Sequence, residues 1–288
     1  MAKATLLVMA AGLGSRYGGN KQIDRFGAEQ KLLMQYSIEN ALQEGFDKVV
    51  FIVRPEHESI IRELCADALP VEVGFAYQDY TSLPAFYTLP QGRSKPYGTV
   101  HAVLCARDVI HEPFVVMNAD DYYDSSVFRV LREEIDRLQS PGDAAMSAYR
   151  LCNTLSPHGA VTRGQCIIRD DYLERVIETY QISLSPTGEV TDGDGRVLDP
   201  EMAASMNVWA FHPGIFDAMQ QYFEDFLRAL PADALRQEYP LPAMIDTMLQ
   251  NGALRVHVRT TDARWFGVTY PEDKPIVEAA LAALFPKA

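Results

Sequence analysis

Basic residues are scarce in this chain of 288 residues, in which 26 Lys and Arg stand against 39 Asp and Glu and give a formal net charge of -13. Nucleic-acid backbones and anionic membranes both favour a basic protein surface, so neither is expected as the main partner. A small anionic ligand remains compatible with this charge, because a few local cations and a metal ion can reverse the field inside one cleft.

Several chemical signatures are also missing. The four cysteines, Cys65, Cys105, Cys152 and Cys166, form no C-x-x-C pair and no zinc spacing, so free buried thiols are expected. The six histidines form no H-x-x-x-H pattern, and no G-x-S-x-G elbow occurs. These absences argue against zinc chemistry and against covalent catalysis.

Long apolar runs are lacking as well. No run approaches the length of a membrane span, and the first apolar stretch is too short and too close to a glycine for a signal peptide. A cytoplasmic protein with no membrane partner is therefore expected. The hydrophobic content of 48% is ordinary for a globular protein with a sizeable core.

What is present is an alternation of apolar runs with helical patterns. The runs predict four buried strands, TLLVMA (5–10), KVVFIV (48–53), VEVGFAYQ (71–78) and PFVVMNAD (113–120). Helical spacing follows each of them, and the helix of KLLMQYSIENALQEG is expected to end at Gly45. This pattern predicts right-handed β-α-β units and a mostly parallel sheet flanked by helices, as in Rossmann-like folds.

The second half of the chain is less regular. Three segments indicate strands, partly in hairpins, and a polar stretch at 185–200 is typical of a loop. Helices are expected in PGIFDAMQQYFEDFLRAL and LPAMIDTMLQNG, and a late strand in ALRVHVRTT. The prediction is one domain, 1–288, in which a doubly wound half (1–140) carries a mixed-sheet half (141–288).

Residues 9–22, MAAGLGSRYGGNKQ, form a glycine-rich segment directly after the first strand. The dinucleotide fingerprint fails because Tyr17 stands where a small residue is needed. The P-loop pattern fails because Lys21 comes late and no hydroxyl residue follows it. The remaining interpretation is a turn whose backbone N–H groups, with Arg16 and Lys21, bind a triphosphate.

Ligands of open parallel sheets lie beyond the carboxyl ends of the strands, which directs attention to two further positions. Gln78 follows the third strand and is either a ligand-binding side chain or a solvated strand end. Asp120 and Asp121 follow the fourth strand, and only one of them is expected to face the cleft. A carboxylate there suits Mg²⁺, whereas Asp124 is the more natural N-cap of the next helix.

Together these segments resemble the sugar-1-phosphate nucleotidylyltransferases, which have a glycosyltransferase-A-like fold. The segment LVMAAGLGSRYGGNKQ resembles that family's G-x-G-[ST]-R loop and following K-Q-L, and WFGVTYPEDKP resembles its W-x-D-x-G-T-P-E-D segment. The resemblance implies catalytic Arg16 and Lys21; nucleotide-binding Ala10, Ala11, Gly12, Gly14, Ser15, Gln78, Pro96, Gly98 and Thr99; sugar-binding Gly159, Glu178 and Asn207; and metal-binding Asp120.

One departure concerns the metal. Gly267 stands where the family has its second metal-binding Asp. Either Asp262 or Asp273 substitutes from nearby, or one protein carboxylate suffices together with phosphates and water. The sequence does not decide between these alternatives.

The resemblance implies Mg²⁺-dependent transfer of a nucleotidyl group from a nucleoside triphosphate, UTP or dTTP, to a sugar-1-phosphate. A homo-oligomer is compatible with the sequence. The alternatives are a glycosyltransferase of similar fold, a cytidylyltransferase acting on phosphocholine or an alditol phosphate, and an inactive nucleotide-sugar-binding regulator.

Overall fold

The structure is a computed structural model that describes residues 3–12, 25–185 and 187–286. Its strands are β1 (Thr5–Met9), β2 (Arg25–Phe26), β3 (Lys31–Leu32), β4 (Lys48–Val53), β5 (Glu72–Tyr77), β6 (Phe114–Asn118), β7 (Asp121–Tyr122), β8 (Asp143–Arg150), β9 (Val161–Arg169), β10 (Tyr172–Leu184), β11 (Val190–Thr191), β12 (Ala203–Phe211), β13 (Arg255–Thr261) and β14 (Phe266–Gly267). Its α-helices are α1 (Leu33–Gln43), α2 (Glu58–Leu64), α3 (Thr99–Leu104), α4 (Ser125–Ile135), α5 (Ile215–Ala229), α6 (Leu241–Gln250) and α7 (Lys274–Leu284).

Ten strands form one sheet in the order β11-β10-β13-β8-β12-β6-β1-β4-β5, with β9 pairing with β10 and β12. β1 runs parallel to β4 and to β6, and β4 runs parallel to β5. β12 is antiparallel to β6 and β8, while β13 is parallel to β8. The predicted fold class, a parallel half continued by a mixed-sheet half, is confirmed.

Both faces of the sheet are covered by helices because the central strands are apolar on both sides. Leu7 and Met9 of β1 belong to a core cluster with residues of α3, α5 and α6. Leu6 and Val8 belong to the opposite cluster, which includes residues of α1 and α4. Side chains of a strand alternate between faces, so one short apolar run contributes to both cores.

Helix ends agree with the sequence in two cases. Gly45 follows α1 with φ +91°, and the Asp124 carboxylate accepts a bond from the Ser126 N–H at 2.9 Å as the N-cap of α4. The helical segments that follow the strands at 48–53 and 71–78 are short. A 3₁₀ turn occupies Pro55–His57 before α2, and α3 has a single regular stretch of 6 residues.

The cysteines are free, as expected, but their burial is not uniform. Cys65 and Cys166 are buried, Cys105 is half-buried and Cys152 is exposed. The prediction of buried thiols is therefore wrong for Cys152, which lies in a 3₁₀ turn at the end of β8.

Within the described ranges, no helix has the length and apolar character needed to cross a membrane.

Gly98 gives a direct test of the packing at the start of α3. It has φ +91°, and a β-carbon there would lie 2.7 Å from the Tyr239 carbonyl oxygen. Gly92 has φ +85° but open space around it. Gly92→Ala should lower the free energy of unfolding by about 1 kcal/mol through backbone strain, and Gly98→Ala by at least about 2 kcal/mol more through the clash. Urea denaturation measures both, and equal losses would contradict the packing described.

Candidate functional site

The strands β1, β4 and β6 deliver their carboxyl ends to one edge of the sheet. The Ala10 N–H donates to the Ile52 carbonyl at 2.8 Å, and the Ala119 N–H donates to the Met9 carbonyl at 3.3 Å. Ala10 and Ala11 are buried, and Gly12 is exposed at the end of this described stretch. Gly14, Ser15, Arg16 and Lys21 lie outside the described residues.

Where the described chain resumes, it is attached to the same edge. The Tyr36 hydroxyl of α1 donates to the Phe26 carbonyl at 2.9 Å. Phe26, Tyr36 and Tyr122 form an apolar cluster with Val277 and Leu281 of α7. The chain that follows the glycine segment is therefore held against β7 and the last helix.

A cavity of about 240 Å³ opens beside the ends of β4 and β5, and Gln78 and Pro96 both line it. Gln78 is only 9% exposed, and its Nε2 donates to the Gly98 carbonyl at 3.1 Å. Gln78 is thus not a solvated strand end. The Thr99 hydroxyl accepts a bond from the Leu241 N–H at 2.7 Å, so Thr99 also joins α3 to α6.

The two carboxylates after β6 differ in burial. Asp121 is buried, and its Oδ2 accepts bonds from Asn118 Nδ2 at 2.7 Å and from the Tyr123 hydroxyl at 3.1 Å. Burial, and then the charge of Asp120, raise the pKa of Asp121 to about 7. Asp120 is half-buried.

Helix α1 fixes the backbone of this acidic turn. The Ser37 hydroxyl donates to the Asp121 carbonyl at 3.3 Å and accepts from the Tyr123 N–H at 2.9 Å. Asn40 Nδ2 donates to the Tyr123 carbonyl at 3.0 Å. The positions of the two carboxylates are consequently set by buried polar groups that hold the turn in place.

A chain of hydrogen bonds joins the acidic turn to the second half of the sheet. Asn207 Nδ2 donates to Asn118 Oδ1 at 2.9 Å, and Trp209 Nε1 donates to Asn207 Oδ1 at 3.1 Å. Asn207 has φ +59°, a left-handed conformation that asparagine tolerates better than most residues. Asn207 is therefore linked to Asp121 through the side chain of Asn118.

Arg163 of β9 is a buried cation on the same side, and the sequence pattern did not single it out. Its guanidinium stacks on Trp265 with 4.5 Å from Cζ to the ring centroid, and it donates to the Thr154 and Thr162 carbonyls. Burial lowers the pKa of Arg163 to about 10, while the charge of Asp121 opposes that shift. Burial raises the pKa of Glu178, and the nearby Arg163 opposes the rise.

Close packing surrounds Gly159, which is predicted to bind the sugar, and Gly267, which stands at the position of the family's second Asp. A β-carbon at Gly159 would lie 2.5 Å from the ring of Tyr270, whose hydroxyl donates to the Ala160 carbonyl at 2.6 Å. A β-carbon at Gly267 would lie 2.2 Å from Cζ2 of Trp265. The structure thus places Gly159 against the late segment, whereas Asn207 lies beside the acidic turn.

In the described part of the chain, no three His, Cys, Asp or Glu side chains gather into a group that could hold a metal ion without further ligands. Any cation at the acidic turn would need oxygen atoms from substrate or water, as Mg²⁺ commonly does. The other missed residue is Asn118, whose signal was a polar side chain at the end of an apolar strand.

His101 in the wall of the cavity predicts a pH dependence of stability. It stacks on Phe223 with ring centroids 5.3 Å apart, and burial lowers its pKa to about 4 from 6.5. The unfolded chain gains a proton near pH 6.5 and the folded chain does not, so this contribution to stability is lost as the pH falls from 6.5 toward 4.

His101→Phe keeps the ring stack and removes the proton. The fall in the free energy of unfolding between pH 7 and pH 5 should therefore shrink by about 2 kcal/mol, measured by urea denaturation at both pH values. An unchanged fall would contradict the buried neutral state of His101.

Comparison with known proteins identifies the family of this chain. The sequence profile of the nucleotidyl transferase family matches residues 6–177. The UTP–glucose-1-phosphate uridylyltransferase AglF of Haloferax volcanii is 22% identical over 279 residues, covering 96% of this chain and 95% of that protein. A UTP–glucose-1-phosphate uridylyltransferase of Klebsiella pneumoniae is 22% identical over 64% of this chain, and the match spans only 59% of that protein.

Solved structures of similar fold cover all or nearly all of the chain. The inositol-1-phosphate CTP transferase from T. maritima superposes with a TM-score of 0.65 at 12% identity, covering 100% of this chain and 99% of that one. A putative glucose-1-phosphate thymidylyltransferase from Bacillus anthracis has a TM-score of 0.62 at 14% identity, covering 96% and 94%. The profile match extends over more than half of the sequence, and the chain belongs to the nucleotidyl transferase family.

Proposed function

We propose that the chain transfers a nucleotidyl group from a nucleoside triphosphate to a sugar-1-phosphate, forming a nucleotide-sugar and releasing pyrophosphate. The observation that carries this proposal is the meeting of three features at one sheet edge. These are the start of the glycine segment at Ala10, the cavity beside Gln78, and the acidic turn at Asp120. The named relatives supply the class of substrate.

The glycine segment is proposed to bind the triphosphate. Backbone N–H groups from Gly12 to Ser15 and the Arg16 guanidinium would hold the outer phosphates, and Lys21 would bridge the reacting phosphates. The short side chains of Ala10 and Ala11 would let the nucleotide approach the backbone closely.

The cavity beside Gln78 is proposed to hold the base. Because one Nε2–H of Gln78 is directed to the Gly98 carbonyl, its Oε1 and its second N–H remain for a ligand. An acceptor beside a donor can pair with the N3–H and a carbonyl of uracil or thymine, and equally with N3 and the 4-amino group of cytosine. The proposal of UTP or dTTP therefore rests on the named relatives.

The acidic turn fits a divalent cation. Asp120 has no hydrogen bond or ion pair with any described residue, and Asp121 is fixed beside it, so hard oxygen donors are available at the edge of the sheet. A bound Mg²⁺ would neutralise charge on the α-phosphate and the leaving pyrophosphate.

The second half is proposed to bind the sugar-1-phosphate. Glu178 and Asn207 are hydrogen-bonding groups for sugar hydroxyls, and Gly159 bounds that region through its contact with Tyr270. Arg163 provides a buried positive charge whose interaction reaches both Asp121 and Glu178. Residues 1–140 and 141–288 are accordingly proposed as the nucleotide and sugar-phosphate halves of one domain.

The proposed reaction suits a site without a catalytic histidine or a nucleophilic side chain. A sugar-1-phosphate is already ionised at neutral pH, so no general base is needed for its attack on the α-phosphorus. The protein must instead align two anions that repel each other and stabilise the charge that develops on the leaving pyrophosphate. A cytoplasmic location and a homo-oligomeric state stay predictions.

The test is a pyrophosphate-release screen of UTP, dTTP, CTP, ATP and GTP against sugar-1-phosphates, inositol phosphate, alditol phosphates and phosphocholine, with Mg²⁺. Release with UTP or dTTP and a sugar-1-phosphate is expected. Release only with CTP and a non-sugar phosphate would replace the proposal by a cytidylyltransferase, and nucleotide binding by calorimetry without any release would indicate a binding protein.

Arg16→Ala and Lys21→Ala should each lower kcat/KM by roughly 10²-fold or more, the scale for loss of one preorganised charge donor. Arg25→Ala is the control, because Arg25 is exposed and donates only to the Gln30 carbonyl among the described residues. Steady-state pyrophosphate release measures all three variants. Near-normal turnover by Arg16→Ala or Lys21→Ala would overturn the roles given to these cations.

A further inference from the structure

Gly267 has no carboxylate to offer a metal ion at the acidic turn. A second carboxylate ligand would have to come from another residue. Two candidates were left open by the sequence, Asp262 and Asp273. The structure gives each of them other partners. Asp262 is 81% exposed and pairs with Arg150 Nη2 at 2.8 Å.

The carboxylate of Asp273 already accepts three hydrogen bonds. Its Oδ1 accepts from the Ser156 hydroxyl at 2.7 Å, and its Oδ2 accepts from the N–H groups of Thr269 at 3.0 Å and Tyr270 at 2.8 Å. Asp273 is also buried. Both of its oxygens are therefore engaged in holding the start of α7.

The space beside Gly267 already contains a different pair of side chains. A β-carbon at this position would lie 2.2 Å from Cζ2 of Trp265 and 3.0 Å from Oδ1 of Asp121. Gly267 is also the direct β-sheet partner of Asp121, because β14 pairs with β7. The indole ring thus excludes a side chain at 267, and Oδ1 of Asp121 lies within 3.0 Å of the point where such a side chain would begin.

The two oxygens of Asp121 differ in their surroundings. Oδ2 accepts bonds from Asn118 and Tyr123, as described above. Oδ1 accepts no hydrogen bond from any residue in the described ranges. An oriented carboxylate with one oxygen held and the other without a donor is the arrangement expected of a cation ligand, and the held oxygen fixes the direction of the other.

We infer that Asp121 is the second protein carboxylate of the metal site and replaces the family's missing Asp at position 267, so that both carboxylates of the acidic turn face the cation and not only one, as the sequence predicts. The inference rests on the proposed function, which requires a divalent cation beside Asp120. Trp265 is then a positioning residue. Its ring fills the space next to Gly267, so Asp121 is the second carboxylate that faces the cation.

Mn²⁺ is the probe, added to the full chain with and without UTP, and free Mn²⁺ is measured by electron paramagnetic resonance. Asp121→Asn, which keeps the shape of the side chain, should weaken Mn²⁺ binding at least tenfold. Asp262→Asn is the matched control and should bind as the wild type does. Wild-type affinity in Asp121→Asn, or a tenfold loss in Asp262→Asn, would overturn the inference.

A second measurement uses the unmodified chain, so it does not depend on the folding of a variant. Fe²⁺ in place of Mg²⁺, with ascorbate and peroxide, cleaves backbone close to the bound ion, and mass spectrometry locates the cuts. Cuts at 118–121 together with 266–267 are expected, and cuts at 262 or 273 without them would contradict the assignment. Neither measurement uses turnover, so a failed substrate screen and a failed metal assignment are distinguishable.

Discussion

Parallel pairing of β1 with β4 on one side and with β6 on the other is the interaction on which the site depends. Parallel strands end at the same edge of a sheet. The segments that follow them are therefore brought together by the strand pairing itself. The bonds from Ala10 to Ile52 and from Ala119 to Met9 show these ends in register. The glycine segment and the acidic turn are neighbours for this reason.

The second constraint is electrostatic. A chain of net charge -13 is proposed to bind two polyanions, and the described site adds a buried aspartate to that problem. Positive charge within the site offsets this negative charge. Arg163 lies near Asp121 and Glu178, and a cation at the acidic turn would supply further positive charge. Hydrogen bonds from Asn118, Ser37 and Asn40 hold the turn, so alignment does not depend on exposed side chains.

The sequence predicted the features that depend on residues close together in the chain, namely strands and helix caps. Apolar runs identified β1, β4 and β6, and the cap at Asp124 followed from residue type. Contacts between distant segments could not be predicted, because no pattern within one segment shows that Asp121 lies beside Gly267 or that Tyr270 packs on Gly159. Arg163 was missed for the same reason, since its partners lie on separate elements. The roles of Arg16 and Lys21 stay predictions.

The central claim is that the site joins and separates nucleotidyl groups and phosphates without a covalent intermediate on the protein. Exchange of labelled pyrophosphate tests it most directly. With a UDP- or dTDP-sugar, Mg²⁺ and labelled pyrophosphate, the account predicts labelled UTP or dTTP and equimolar sugar-1-phosphate. With the free triphosphate and labelled pyrophosphate but no sugar phosphate, it predicts no label in the triphosphate, and labelling there would contradict the account.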